Sequence, residues 1–270
     1  MYIEGVLNYT GSKFKLLDQI LPKMDYSKKN FIDLFTGSFV VGANVVDKYD
    51  KVLVNDIIEE LIGIHKGLLE SDDIIEKTKL LCPSKEDQES FLKLRESFNN
   101  EKNPEKLWAL MLCSTNNMMR FNQSYKYNQT WGKRSYNSNT DKKVELFKNH
   151  IRPYKNKIYF SSKHFNEIPI NKDCMVYIDS PYSNSEAGYN SYWKKDDDIK
   201  LYNYCKKLNE IGASFMLSGI LGEHKDGIRW ELIDKLILDG FKYIELDCNY
   251  NKVSKNGEKN SKEIIIMNYE

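Results

Sequence analysis

Two kinds of hydrophobic pattern divide the chain. Short apolar runs, several ending in an acidic or small polar residue, predict buried strands at residues 31–35, 51–57, 158–165, 176–178, 214–218, 241–250 and 263–268. Apolar positions at helical spacing fall between several of these. Leu16, Leu17, Ile20 and Leu21 predict a first helix with Pro22 near its end, and Val40, Val41, Val45 and Val46 a second. Residues 196–211 and 227–238 predict two later ones. This alternation points to an α/β domain. From residue 59 to 149 the rhythm stops. Residues 60–69, 72–81, 85–99 and 104–119 read as consecutive helices, with Asp87 and Asn103 in reasonable start sequences. Residues 116–139 are polar, aromatic and basic without a period, and read as a loop. The expected organisation is therefore an α/β domain made of residues 1–58 and 150–270, with residues 59–149 inserted as a helical module. Residues 251–262, rich in Lys, Asn, Ser and Gly, predict a long hairpin connection.

Composition narrows the class. The chain has 270 residues, 29% charged and 41% hydrophobic, as expected of a soluble globular protein. No apolar run reaches the ~20 residues of a membrane span, and the N-terminus lacks a signal peptide's apolar core. Five cysteines are scattered without a Cys-x-x-Cys pair. That predicts reduced thiols in a cytoplasmic setting, and argues against a disulfide framework or a zinc site. The four histidines show no metal-ligand spacing, so no metal is expected. Net charge is only +1, but its distribution is uneven. Residues 120–163 carry eleven basic residues against Asp141 and Glu145, a segment charge of +9. Phe121, Tyr125, Tyr127, Trp131 and Tyr136 interleave with these cations. This pattern fits a nucleic-acid surface, although a solvated lysine-rich face gives the same count.

The candidate chemistry centres on residues 176–182, Val-Tyr-Ile-Asp-Ser-Pro-Tyr. In open α/β sheets, ligands bind beyond the carboxyl ends of strands. Asp179 at such an end could accept from the amine of a flat ring. Pro181 restricts Ser180 to an extended conformation, which aims the Ser180 carbonyl. Tyr182 offers a stacking face. A strand that merely ends in a turn has the same residue types. Around Thr36, Gly37 and Ser38 a strand–turn–helix resembles a nucleotide-binding element, though it matches neither the dinucleotide fingerprint nor a P-loop. Asp56 follows Gly37 by about 20 residues, where such folds hold ribose hydroxyls. It could equally cap the helix that follows. The Thr10-Gly11-Ser12-Lys13 turn before the first helix would suit an anionic group.

Taken in order, these motifs resemble the Dam family (D12 class, alpha group) of DNA adenine-N6 methyltransferases, especially bacteriophage members. The resemblance rests on residues 8–13, 33–37, Asn55-Asp56, 117–122, 131–134, 160–165, 179–182 and 189–193. It implies a Rossmann-like sheet using S-adenosylmethionine, with residues 59–149 as a target-recognition insertion. By position, Tyr9, Lys13, Asp33, Phe35, Gly37, Asp56, His164, Phe165 and Asp179 would line the cofactor site. Asp179, Ser180, Pro181 and Tyr182 would form the catalytic motif. Arg120, Asn122, Trp131, Lys133, Arg134 and Tyr189 would face double-stranded DNA. The expected reaction is direct in-line methyl transfer to N6 of a flipped-out adenine, in GATC by family default, in host regulation, restriction-modification or phage self-marking. Methylation of cytosine N4 or of an RNA base remains an alternative, as does a DNA-binding homologue impaired in catalysis. Serine stands at 180 where the family usually has proline, and Tyr125 and Thr130 stand where it commonly has glycine and proline. Oligomeric state is left open.

Overall fold

The computed structural model describes residues 1–9, 11–181, 193, 195–222, 230–247 and 262–270. Seven strands form one sheet in the order β3-β2-β1-β4-β5-β7-β6. They are β1 (Asn30–Asp33), β2 (Lys51–Asn55), β3 (Ile158–Ser161), β4 (Cys174–Ile178), β5 (Ser214–Leu221), β6 (Lys242–Glu245) and β7 (Lys262–Met267). The first five run parallel, and β7 inserts antiparallel between β5 and β6. The order reverses between β1 and β4. That leaves a crevice beyond their carboxyl ends, where an open α/β sheet takes its ligand.

Strand residues alternate between two cores, as the two-residue period of a strand requires. On β4, Met175 and Tyr177 enter one cluster while Cys174, Val176 and Ile178 enter the other. On β7, Ile265 and Met267 separate in the same way from Ile264 and Ile266. Helices α8 (Lys195–Glu210) and α9 (Glu231–Leu238) cover the second face. The first face carries α1 (Leu17–Ile20), α2 (Val40–Val45) and the helices between β2 and β3: α3 (Glu59–Glu70), α4 (Asp73–Leu81), α5 (Gln88–Asn100), α6 (Pro104–Cys113) and α7 (Ser138–Ile151). Buried on nearly every side (Leu107, Trp108, Ala109, Leu110, Met111 and Cys113), α6 is packed by α3, α4 and α5. Helix α3 also packs on β3, and one apolar cluster runs from the sheet through α6.

Several local expectations need correction. The helix expected at 104–119 stops at Cys113. The Gly132 N–H donates to the Cys113 carbonyl (2.8 Å) and the Thr115 N–H to the Thr130 carbonyl (2.9 Å), so cross-chain bonds replace helical ones. Asn116 and Asn117 then adopt φ of 57° and 53°, which no right-handed helix accommodates. Within the stretch read as a loop, α7 starts at Ser138. Asn137 caps it by accepting from the Asn139 (3.0 Å) and Thr140 (3.3 Å) N–H groups. The N-terminal helix is a single α-turn flanked by 3₁₀ turns at Lys13–Leu16 and Leu21–Lys23. So short an element has little dipole to offer an anion. Strand β6 ends at Glu245, whereas the sequence suggested a strand to 250. Residues 248–261, with the expected hairpin connection, lie outside the described residues, as do 227–229 at the start of the helix expected there.

Candidate active site

The carboxyl ends of β1, β2, β3 and β4 open into one cavity of about 460 Å³. That volume is in the range of small-molecule sites. Each strand contributes residues at or just past its end: Asp33 and Phe35 to Ser38, Asn55 to Ile58, Lys163 to Phe165, and Asp179 to Pro181. Tyr9, Gly11, Ser12 and Lys13 close it from the N-terminal segment. All the positions expected to line a cofactor site (Tyr9, Lys13, Asp33, Phe35, Gly37, Asp56, His164, Phe165 and Asp179) therefore share this cavity.

The turn after β1 is held from several sides. Gly37 has φ of 48°, and a Cβ there would lie 2.9 Å from the Tyr9 ring, so the position takes glycine. The Gly37 N–H donates to Asp56 Oδ2 (3.2 Å), and the Gly37 carbonyl accepts from His65 Nε2 (2.8 Å). His65 is fully buried, and burial pushes its imidazole down to about 4. At neutral pH it is uncharged, with its proton on Nε2 facing that carbonyl. The other oxygen of Asp56 accepts from the Ile58 N–H (3.1 Å), one residue before α3, whose own start carries no side-chain cap. Burial raises the Asp56 carboxyl to about 6. Asp33 accepts from the Gly42 N–H (3.0 Å), and burial, with Asp179 and Asp56 adding to it, raises it to about 7. The Asn55 side chain ties the strand ends together. It donates to the Leu34 (3.0 Å) and Lys163 (3.1 Å) carbonyls and accepts from the Lys163 N–H (3.2 Å).

At the end of β4, Lys13 Nζ donates to Asp179 Oδ1 (2.8 Å) and to the Gly11 carbonyl (3.1 Å). The lysine is 5% exposed and the aspartate 21%. Lys13 thus holds the carboxylate in place instead of presenting itself at a helix start. Glu263 on β7 lies within electrostatic reach of both; burial raises its carboxyl, Lys13 opposing, and its Oε2 is buried without a hydrogen-bond partner among the described residues. Ser180 is buried and its hydroxyl has no partner among the described residues. Pro181 also lines the cavity; Tyr182 lies outside the described residues.

Aromatic rings form a further wall. The Phe35 and Phe165 centroids are 5.6 Å apart, and Trp193 is 5.6 Å from Phe35 and 5.8 Å from Phe165. His164 stacks at 4.5 Å on Phe165, with Nδ1 2.7 Å from the Asn166 amide oxygen.

Of the residues expected to face DNA, Arg120, Asn122, Trp131, Lys133 and Arg134 lie outside this cavity, on the segment between α6 and α7. Arg120, Lys133 and Arg134 are exposed. Arg134 donates to the Asn117 amide oxygen (3.1 Å) when that amide turns its nitrogen to the Leu112 carbonyl. The Asn122 amide oxygen is turned inward, accepting from the Ser124 (2.9 Å) and Lys126 (3.1 Å) N–H groups. Trp131 is half-buried and bridges to Ser114, with Lys133 6.0 Å over its ring. Tyr189 lies outside the described residues. Much of the basic segment serves the fold: Lys143 pairs with Glu4, Lys148 and Arg152 with Asp72, and Lys157 donates to the Tyr49 carbonyl. Sequence reading missed Asn55 and His65 as supports, and Tyr125, Lys163 and Trp193 as cavity residues. A carboxamide at a strand end was the available signal for Asn55; His65 sits mid-helix among apolar neighbours and gave none.

A parallel sheet with this switch point, an antiparallel β7 and acids at its strand ends is the Rossmann-like fold of methyltransferases, which generally use S-adenosylmethionine. The chain belongs to the D12 class N6 adenine-specific DNA methyltransferase family, whose profile matches residues 9–251. It is 32% identical to modification methylase StsI of Streptococcus sanguinis, an alignment covering 100% of this chain and 43% of that protein. Identity to type II methyltransferase M.FokI of Planomicrobium okeanokoites is also 32%, over 99% of this chain and 43% of that protein. Type II methyltransferase M.MjaIII of Methanocaldococcus jannaschii is 28% identical over 81% of this chain and 84% of its own length. The chain thus spans less than half the length of the first two relatives. Among the described residues, no helix is long and apolar enough to cross a membrane, and no cluster of His, Cys, Asp or Glu could hold a metal ion.

Proposed function

We propose that the chain transfers a methyl group from S-adenosylmethionine to N6 of an adenine extruded from double-stranded DNA. The observation that carries this is the single cavity joining a glycine turn, a buried Asp56 and the Asp179-Ser180-Pro181 turn. The residues present fit the cofactor. Asp56 uses one oxygen for each of two backbone donors, and a carboxylate has about four lone-pair positions, so hydroxyls can still be accepted. Gly37 adds no side chain of its own to the turn, and the Tyr9 ring packs where its Cβ would lie. Phe35, His164 and Phe165 provide faces for an adenine ring, and Asp33, Asp56 and Asp179 surround the space with acids that suit a cationic sulfonium. When bound, S-adenosylmethionine supplies an activated methyl group on that sulfur.

The protein's own part is positioning. The exocyclic amine of adenine is conjugated with its ring and is a poor nucleophile. Asp179 and the Ser180 carbonyl accept hydrogen bonds from its two N–H groups, which draws the nitrogen toward a tetrahedral form with its lone pair free for alkylation; once methylated, the nitrogen gives up its surplus proton through Asp179 to solvent. Lys13 fixes the Asp179 rotamer through Oδ1. Extrusion of the base costs a few kcal/mol, partly offset by stacking on Tyr182. No covalent intermediate on the protein is required. Residues 59–149 act as the target-recognition module, with Arg120, Asn122, Trp131, Lys133, Arg134 and Tyr189 toward the DNA; GATC is the first site to examine. The setting is restriction-modification in a bacterial cytoplasm or an infecting phage. Expression in a host lacking DNA methylation, followed by nucleoside analysis of its DNA, tests the reading. N6-methyladenine is the expected product. N4-methylcytosine alone, or methylation confined to RNA, would overturn it.

A further inference from the structure

Residues 121–127 fold back as a small hairpin. Phe121 and Tyr127 form an antiparallel bridge, the Asn122 N–H donates to the Lys126 carbonyl (2.9 Å), and the Tyr125 N–H donates to the Asn122 carbonyl (3.0 Å). A three-residue loop of this kind places its last residue in the left-handed region, where glycine is usual. Here that residue is Tyr125, with φ of 57°. A bulky residue there is a genuine outlier. The hairpin beneath it is firmly seated: the Tyr127 hydroxyl bonds Ser114 (2.7 Å) and the Met118 carbonyl (3.0 Å), and Phe121 and Tyr127 are buried against Phe98. The tip therefore holds its side chain in a defined place.

That place is the cavity. Tyr125 lines it together with Asp179, Ser180 and Pro181, and is the only described lining residue from 59–149. The side chain is 55% exposed, so it stands at the mouth. A base moving from duplex to Asp179 must pass that mouth, and every base offers a face to an aromatic ring. We propose that Tyr125 is a positioning residue that stacks on the target base as it enters. The recognition hairpin would thereby close the site in which the chemistry occurs. This rests on the methyl-transfer reading.

Tyr125→Gly separates stacking from folding, because glycine suits this φ. The variant is expected to melt at or above the wild-type temperature. Its kcat/KM for DNA should fall about 5- to 160-fold, the range of a lost base–aromatic stack, with KM for S-adenosylmethionine unchanged. The fluorescence rise of 2-aminopurine, placed at the adenine mapped from wild-type product, should fall with it. Tyr125→Phe should keep both, since the ring remains. Wild-type kcat/KM and fluorescence in Tyr125→Gly would overturn the proposal, as would a loss confined to KM for the cofactor. If the wild-type protein methylates no adenine, the methyl-transfer reading fails first and this proposal with it, and that result appears before any variant is compared.

Discussion

Asp179 is legible in the sequence because its motif is local: a short apolar run, an acid, a stiff turn. Its partner is not, since Lys13 lies far away along the chain and meets it only through the fold. The pair dictates how Asp179 should be tested. Removing the carboxylate outright strands a buried ammonium, which typically costs about 3–5 kcal/mol. Asp179→Asn keeps an oxygen for Lys13 while replacing an acceptor with a donor facing the amine. It should reduce kcat by at least about 100-fold with a smaller loss of melting temperature than Asp179→Ala, and turnover near wild type would contradict the assigned role. Asp56 and Asp33 make a second residue-scale prediction. Burial raises them to about 6 and about 7. The native state then holds these protons more tightly than the unfolded chain. The resulting stability is full below the usual carboxylate range and lost as pH rises through about 6 to 7. Cofactor affinity should move oppositely, because ionised carboxylates accept hydroxyls and attract a cation better. Titration calorimetry should show S-adenosylmethionine binding tighten several-fold between about pH 5.5 and 7.5, with a shallower slope in Asp56→Asn. A flat wild-type profile would contradict the carboxylates' role.

At the scale of elements, the strands and the early helices of the insertion follow from apolar periodicity and caps such as Asp87 and Asn103, which accept from Ser90 (2.9 Å) and Lys106 (2.9 Å). What periodicity could not show was competition from outside the element. The apolar pattern of α6 runs on to Met119, yet Gly132 and Thr130 take over its hydrogen bonding at Cys113. Helix α7 hid in a polar stretch because its start is an asparagine cap and its apolar positions, Val144, Phe147 and Ile151, are sparse. The glycine turn was visible as a turn, but its support from α3 was not. His65→Leu tests that support. It removes the donor to the Gly37 carbonyl, and a buried acceptor left unsatisfied costs about 1–3 kcal/mol. Denaturant unfolding should register that loss, and cofactor affinity should weaken with it. Full affinity in a destabilised variant would show that the turn keeps its shape without His65.

Across the whole molecule, the charge pattern and the motif order pointed the same way, though for partly different reasons. The +9 segment does not form one DNA-facing surface. Lys143, Lys148, Arg152 and Lys157 anchor it to Glu4, Asp72 and the Tyr49 carbonyl, leaving the exposed Arg120, Lys126, Lys133 and Arg134 on the segment before α7. The insertion shares one apolar core with the sheet, and its hairpin tip reaches the catalytic cavity. In the proposed reading, this continuity would let the helical module present DNA to a site built from strand ends. The most direct test is transfer of radiolabel from S-adenosylmethionine to unmethylated duplex DNA, followed by nucleoside digestion. Label in N6-methyladenine is the predicted result. Absence of label, with cofactor and DNA each still bound, would contradict methyl transfer and leave the protein a DNA-binding homologue.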